Sequence, residues 1–156
     1  MIEAEIEDAA WSGALEDPSD LAVRAAEAAL TGAEAHGDVA VLLTGDGAIA
    51  DLNQRFRGKP GPTNVLSFPA PASARPHLGD VAVAFGVCER EAAEQGKRLA
   101  DHLMHLVAHG VLHLVGYDHE SDAEAQTMEA LERRVMQGLG APDPYQASSA
   151  DANHAG

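Results

Sequence analysis

The segment His109-Gly110-Val111-Leu112-His113-Leu114-Val115-Gly116-Tyr117-Asp118-His119-Glu120 predicts both the end of a helix and a metal site. His109 and His113 are four residues apart, so on a helix their imidazoles share one face, about one turn apart. Gly116 can adopt a left-handed conformation that ends the helix and turns the chain back, which would bring His119 to the same point. Three imidazoles leave the fourth tetrahedral position of a zinc ion open, as in catalytic rather than structural zinc sites.

The metzincin peptidases have histidines at the same offsets, in the motif H-E-x-x-H-x-x-G-x-x-H. Here Gly110 takes the place of the glutamate, which in those enzymes is the general base that activates water. The cage therefore fits a hydrolase, but peptide hydrolysis is disfavoured. Two histidines at helical spacing are often ordinary surface groups, whereas three with a glycine at the turn favour a metal. We expect one Zn²⁺ per chain, with nickel an alternative for the same ligands.

Around this segment, short apolar runs alternate with amphipathic stretches, which predicts an α+β fold. Strands are predicted at residues 1–7, 39–43, 65–68 and 80–85. Helices are predicted from the turn at 17–20 to about residue 35, after a cap at Asp46, and over 87–95, 99–115 and 121–137. The helix at 99–115 is expected to be a central metal-binding helix on a single mixed β-sheet, because it is apolar at Leu103, Leu106, Val107, Val111 and Leu114.

Length and composition predict one domain at residues 1–139 and a disordered tail rich in proline and serine at 140–156. The acidic N-terminus lacks the features of a secretory signal, and no apolar stretch is long enough to span a bilayer. We therefore expect a cytoplasmic protein with no membrane partner. The single cysteine, Cys88, rules out an internal disulfide and follows an apolar run, which favours a buried side chain over a nucleophile or ligand.

The net charge of -15 disfavours a general nucleic-acid binder, because phosphate is repelled by such a field. The charge is unevenly distributed, however. Residues 55–98 hold seven of the ten basic side chains and four acids, a net charge of 7 - 4 = +3. The remaining chain holds three bases and 21 acids, a net charge of -18. A basic patch and scattered solvated charge explain this distribution equally well.

Three further segments, read together with the histidine motif, resemble the YbeY family of bacterial metallo-endoribonucleases. They are Leu52-Asn53-Gln54-Arg55-Phe56-Arg57-Gly58-Lys59, Pro62-Thr63-Asn64-Val65-Leu66-Ser67-Phe68-Pro69 and Leu78-Gly79-Asp80. The resemblance covers residues 50–137, and the histidine motif and the Pro-Thr-x-Val-Leu-Ser-Phe-Pro block are its specific parts. Asn64 stands where the family commonly has Asp. With Thr63 and Ser67 intact, we expect this difference to change little.

The resemblance implies an endoribonuclease specific for single strands. Its role would be ribosomal RNA maturation, at the 3′ end of the small-subunit rRNA, and ribosome quality control. It also implies that His109, His113 and His119 hold Zn²⁺, and that Arg57 and His113 are catalytic. A guanidinium such as that of Arg57 can fork onto phosphate oxygens and stabilise charge that builds there. The implied partners are single-stranded rRNA, the small ribosomal subunit and a ribosomal protein, which Asp80 is a candidate to contact unless it caps a turn.

Several alternatives stay open from sequence. Zinc lowers the pKa of a bound water toward ~7, and the hydroxide either attacks the phosphodiester or deprotonates the ribose 2′-hydroxyl. With Gly110 at the position of the base, Asp118 and Glu120 are candidates, or they orient a ligand. His105 is either a fourth ligand or proton shuttle, or more commonly a hydrogen-bonded structural histidine. Two other functions compete: a ribosome assembly factor whose zinc holds the fold, and a metallopeptidase.

Overall fold

A single mixed β-sheet forms the middle of the computed structural model, which describes residues 1–145. Its strands are β1 (Ile2–Ile6), β2 (Asp38–Thr44), β3 (Val65–Pro69) and β4 (His77–Ala84). The order is β1-β2-β4-β3, with β1 and β4 parallel to β2, and β3 antiparallel to β4. The predicted α+β class with one mixed sheet is thereby confirmed.

Six α-helices cover the two faces of this sheet within the described residues. They are α1 (Ala10–Ala14), α2 (Pro18–Gly32), α3 (Asp46–Arg57), α4 (Phe85–Gln95), α5 (Leu99–Leu114) and α6 (Asp122–Gly138), with a short 3₁₀ helix at Ala72–Ala74. Helix α1 was not predicted from the sequence, because five residues are too few to show a helical period. Its Trp11 is fully buried, and the indole N–H donates to the carbonyl of Thr44 at 2.9 Å. No helix in residues 1–145 is long and apolar enough to cross a membrane.

The middle of the sheet is covered on both faces, which explains the continuous apolar run in β2. Val39, Val41 and Leu43 belong to the larger core, which also contains the buried side chains of α2, α5 and α6. Leu42 points the other way and packs against the smaller core, built around Ile49 of α3. Successive side chains of a strand alternate between faces, so a strand covered on both sides needs apolar residues at consecutive positions.

Helix α5 lies close to the sheet at Gly110. A Cβ atom at that position would lie 2.7 Å from Cγ1 of Val81 and 3.1 Å from Oγ of Ser67. The Ser67 hydroxyl donates to the carbonyl of Gly110 at 2.9 Å and ties the helix to β3. The residue that distinguishes the histidine motif from the peptidase motif is therefore a packing glycine. It holds His109 and His113 at the surface of the sheet.

Two local expectations differ from the structure. Gly45 rather than Asp46 is the N-cap of α3, and the Asp46 carboxylate instead accepts from the backbone N–H of Val87 at 3.0 Å. The predicted tail was assigned to begin at residue 140, but Pro144 is buried and the Tyr145 hydroxyl donates to Glu132. Residues 140–145 therefore pack on the domain, because their polar groups find partners on it. The rest of the predicted tail, 146–156, lies outside the described residues.

Candidate metal centre and active site

The three predicted histidines lie together at the end of α5. Their candidate ligand atoms are all within 4.8 Å of one another. The Nε2 atoms of His109 and His113 are 3.1 Å apart. Nitrogens bound about 2.05 Å from a tetrahedral zinc lie about 3.3 Å from each other, so this spacing fits one ion between the two rings. His119 reaches the same point from the following loop and remains the most exposed of the three. The group can hold one metal ion with an open position toward solvent.

The turn that returns His119 forms as its glycine predicts. Helix α5 ends at Leu114, and Gly116 has a φ of 104°, which lies in the left-handed region that favours glycine. The backbone N–H of Tyr117 then donates to the carbonyl of Leu112 at 3.0 Å. Asp118 accepts the backbone N–H of His119 at 2.8 Å. These bonds lie within the loop that returns His119 toward the end of α5.

A buried carboxylate that the sequence analysis did not identify lies behind the histidines. Glu132 of α6 is fully buried, and its Oε1 lies 2.8 Å from Nδ1 of His109 and 3.0 Å from Nε2 of His105. An ionised carboxylate can only accept, so both imidazoles donate to it. His109 thereby carries its proton on Nδ1 and keeps the Nε2 lone pair for a metal. His105 is occupied by Glu132, which favours the structural interpretation of this residue.

The sequence does carry a signal for Glu132. It lies four residues after Met128 and four before Met136, and both methionines are buried. A carboxylate within the apolar stripe of an amphipathic helix is expensive unless it is paired. Such a residue therefore points to a partner in the interior, although the sequence does not identify that partner.

Ionisation of Glu132 and His113 follows from their surroundings. Burial alone raises the pKa of the Glu132 carboxyl, but hydrogen bonds from His105, His109 and Tyr145 outweigh it and lower the pKa to about 2. Burial, together with the neighbouring His109 and His119, lowers the pKa of His113. Glu132 is therefore ionised and His113 neutral near pH 7. These are the states that orient one imidazole and leave another free to bind a metal.

A groove of about 790 Å³ opens in front of the histidines. The predicted catalytic Arg57 lines it together with all three metal-site histidines; its other walls include Thr63, Asn64, Ser67, Asp118 and Glu120. Arg57 is the last residue of α3, and Gly58 ends the helix with a left-handed φ of 65°. Among residues 1–145, the Arg57 guanidinium forms no ion pair or hydrogen bond. The structure thus brings a cation without an internal partner to the same groove as the metal cage.

Asn64 connects the groove to a buried histidine. Its side-chain amide donates to the Glu91 carboxylate at 3.1 Å, and Glu91 in turn lies 2.9 Å from Nε2 of His102. Its Oδ1 accepts the backbone N–H of Val65 at 2.7 Å. Burial lowers the pKa of His102, which outweighs the opposing effect of Glu91. Asn64 is therefore a donor to a carboxylate, a role that an ionised Asp at this position cannot fill.

Two other residues from the sequence analysis lie outside the groove. Asp80 is exposed on β4 and lies 3.3 Å from Nε2 of His77. Cys88 is buried, and burial, with Glu91 and Glu89 nearby, raises its pKa to about 12. Such a thiol is a packing group, as predicted, because its reactive thiolate is suppressed.

Part of the basic segment at 55–98 is neutralised within the fold. Four of its seven cations bind internal oxygens: Arg55 with Asp51, Arg75 with the carbonyl of His77, Arg90 with Asp46, and Lys97 with the carbonyl of Pro144. The cation of this segment that lines the groove is Arg57.

Comparisons with known proteins identify the family. The model of the family described as Endoribonuclease YbeY matches residues 4–140. Endoribonuclease YbeY of Maricaulis maris (strain MCS10) is 51% identical over 142 residues, which covers 90% of this chain and 88% of that protein. Endoribonuclease YbeY of Methylocella silvestris is 47% identical over 152 residues, which covers 94% and 86%.

A solved structure shares the fold of this chain. The solution structure of TM1509 from Thermotoga maritima matches with a TM-score of 0.55 and 27% identity, over 94% of this chain and 99% of that one. The family resemblance predicted from residues 50–137 is confirmed. The alignments cover most of the length of both curated relatives. The chain therefore belongs to the Endoribonuclease YbeY family.

Proposed function

We propose that the chain is a zinc-dependent endoribonuclease that cleaves single-stranded ribosomal RNA during small-subunit maturation and ribosome quality control. The observation that carries the proposal is the shared groove: Arg57 and the three histidines at 109, 113 and 119 line one space. Phosphodiester cleavage builds negative charge on phosphate oxygens, and a fixed cation facing that charge stabilises the transition state. The three histidines and a guanidinium that has no partner within residues 1–145 line the same cavity and fit this requirement.

The donor set suits zinc, because three imidazoles whose candidate ligand nitrogens lie within 4.8 Å of one another match a tetrahedral site with one open position. When bound, the metal supplies Lewis-acid activation of water, or of the ribose hydroxyl, near neutral pH. Arg57 binds two phosphate oxygens as a fork and orients the scissile group. Of the two groove carboxylates, Asp118 already accepts from His119. Glu120 makes no hydrogen bond or ion pair among the described residues and is the better candidate to accept a proton.

The charge of the body bears on how substrate arrives. A net charge of -15 repels free RNA, so the groove alone offers little long-range attraction. We therefore propose that a protein of the small ribosomal subunit presents the single-stranded RNA. Asp80, exposed outside the groove and paired with His77, is a candidate contact for that protein.

A peptidase function is disfavoured by packing as well as by sequence. The glutamate that activates water in the metzincin motif corresponds to Gly110, where even a Cβ atom would overlap Val81. A side chain at this position would require α5 or Val81 to shift. Peptide hydrolysis would thus need a different base.

The test is cleavage of a fluorescent single-stranded RNA by zinc-loaded wild type and three variants purified identically. Arg57→Ala should lower kcat/KM by about 10²–10³-fold, the usual cost of removing one transition-state donor. His113→Ala should lose both zinc and activity. The matched control is Arg24→Ala on α2, an exposed arginine 3.9 Å from Asp20, which should retain wild-type activity.

The outcomes separate the competing functions. Equal cleavage by wild type and His113→Ala would reveal a contaminating ribonuclease. Zinc-dependent folding without cleavage of free RNA or of small-subunit particles would support the assembly-factor alternative. Digestion of casein by wild type, lost in His113→Ala, would restore the peptidase alternative. Activity unchanged in Arg57→Ala would remove Arg57 from the catalytic machinery.

A further inference from the structure

We infer that Glu132 and Tyr145 are positioning residues for the metal: the segment 143–145 closes a hydrogen-bonded chain from Tyr145 through Glu132 to His109. The inference rests on the metal site of the proposed function. The Tyr145 hydroxyl donates to Oε2 of Glu132 at 2.6 Å, and Nδ1 of His109 donates to Oε1 at 2.8 Å. The opposite nitrogen of His109, Nε2, is the one that faces His113 and the metal position.

Both oxygens of Glu132 are used in this arrangement. Oε1 accepts from His105 and His109, and Oε2 accepts from Tyr145. The carboxylate is fully buried, so an oxygen without a donor there would be costly. Removing the phenol would leave Oε2 to rotate or to recruit water. The bond that orients His109 would then be less well defined.

The segment that carries Tyr145 is held by contacts of its own. Asp143 accepts from Nε of Arg133 at 3.3 Å and from the backbone N–H of Tyr145 at 2.8 Å. The Arg133 guanidinium lies 5.4 Å from the centre of the Tyr145 ring. The His105 ring packs edge to face on the same tyrosine ring, with 5.4 Å between the ring centres. Lys97 donates to the carbonyl of Pro144 at 2.6 Å. Contacts from α4–α5 and α6 thus place the phenol over Glu132.

The same atoms do not suit a second metal ion. His105, His109 and Glu132 also lie within 4.8 Å of one another. A cation there would take Nδ1 of His109 while Nε2 serves the first site, and the imidazole would have to lose both protons. Donation of Nδ1–H to the Glu132 carboxylate keeps the proton of His109 on Nδ1 and leaves the Nε2 lone pair for the first site. It also raises the basicity of Nε2, which is how such partners strengthen metal binding.

The experiment measures the zinc dissociation constant of the full chain by competition with a chromophoric chelator. Glu132→Gln should weaken zinc binding by about 10–100-fold, the usual effect of removing a partner of a ligating histidine. Tyr145→Phe, which deletes only the hydroxyl, should weaken it by about threefold to tenfold, because it acts one bond further away. The control Glu124→Gln makes the same charge change at an exposed position on α6 and should leave the constant unchanged.

A second readout follows the tautomer of His109 by ¹⁵N NMR of the metal-free protein. Wild type should carry the proton on Nδ1, and Glu132→Gln should shift the population toward Nε2–H. A purely structural role would lower the melting temperature without moving either the tautomer or the dissociation constant. That result overturns the inference, as does an unchanged zinc affinity in Tyr145→Phe, which keeps the test decisive if Glu132→Gln fails to fold.

Both readouts are independent of RNA cleavage. Weakened zinc binding in the two variants supports the inference even if no RNA is cleaved, whereas the proposed function would then fail. Cleavage by wild type with unchanged zinc binding in both variants overturns the inference alone.

Discussion

Replacing Gly110 with alanine tests the close approach of α5 to the sheet. Alanine in a helix interior is about 1 kcal/mol more favourable than glycine. The new Cβ would lie 2.7 Å from Cγ1 of the fully buried Val81, well inside the optimal carbon separation of about 3.5–4.0 Å. Valine is stiff at χ1, so overpacking should cost about 1–3 kcal/mol. Displacing the helix would also weaken the Ser67 bond to the Gly110 carbonyl, at about 1 kcal/mol.

The losses exceed the gain, so Gly110→Ala should be destabilised by about 1–3 kcal/mol net. For a chain of this size each kcal/mol shifts the melting temperature by about 3 °C, which predicts a fall of about 3–9 °C. Gly47→Ala is the matched control: nothing lies within 4 Å of its Cβ position in α3. That variant should be stabilised, by up to about 1 kcal/mol.

The assay is urea and thermal unfolding of both variants and wild type without metal, followed by zinc titration of each. Gly110→Ala should also bind zinc more weakly, because His109 and His113 move with the helix. If Gly110→Ala proves as stable as wild type, or gains stability as Gly47→Ala does, helix α5 can shift at no cost. The explanation that close packing against Val81 excludes a glutamate side chain at position 110 is then wrong.

Three further predictions concern pH, the Asn64 network and metal removal. The lowered pKa of His102 means that the unfolded chain binds a proton at this imidazole more readily, so the unfolding free energy should decrease as pH falls through about 6.5. His102→Gln should flatten that slope between pH 7 and 5 in urea titrations. Asn64→Asp should lower the unfolding free energy by about 1–2 kcal/mol at pH 8, because it places a carboxylate against Glu91. This loss should shrink on acidification and disappear when Glu91→Gln is added. A loss that persists in the double variant would exclude charge repulsion. Zinc at 100 times its dissociation constant should raise the unfolding free energy by about 2.7 kcal/mol. A chelator should reverse this rise. A similar rise in His113→Ala would mean that the metal binds elsewhere.

Much of the fold could be predicted because its elements are set by local patterns. The limits of α5 and the turn at Gly116 follow from helical period and glycine placement, and both were confirmed. Strand β2 was evident as an apolar run. The prediction failed at α1, which is too short to show a period. It also misassigned Asp46, whose carboxylate binds the start of α4 rather than capping its own helix.

The candidate site divides in the same way. His109 and His113 share a helix, and His119 lies in the loop just after the turn at Gly116, so their proximity depends on residues close in the chain. Family resemblance added Arg57, which lies 52 positions before His109. The structure brings Arg57 into the groove through the packing of α3 and β3. No pattern in the sequence specifies how close Arg57 lies to the histidines in space.

Glu132 and Tyr145 show why the rest was out of reach. A carboxylate in an apolar stripe indicates that a partner exists, but the helical period does not identify which side chain on another helix is that partner. Tyr145 lies in a stretch whose composition resembles a disordered tail, and contacts with Arg133, Lys97 and Glu132 hold it in place. Histidine spacing along one helix is a property of consecutive residues, since backbone geometry carries it. Which nitrogen of His109 keeps its proton depends on a carboxylate 23 residues away, and it is the packing of α6 on α5 that brings that carboxylate within hydrogen-bonding distance.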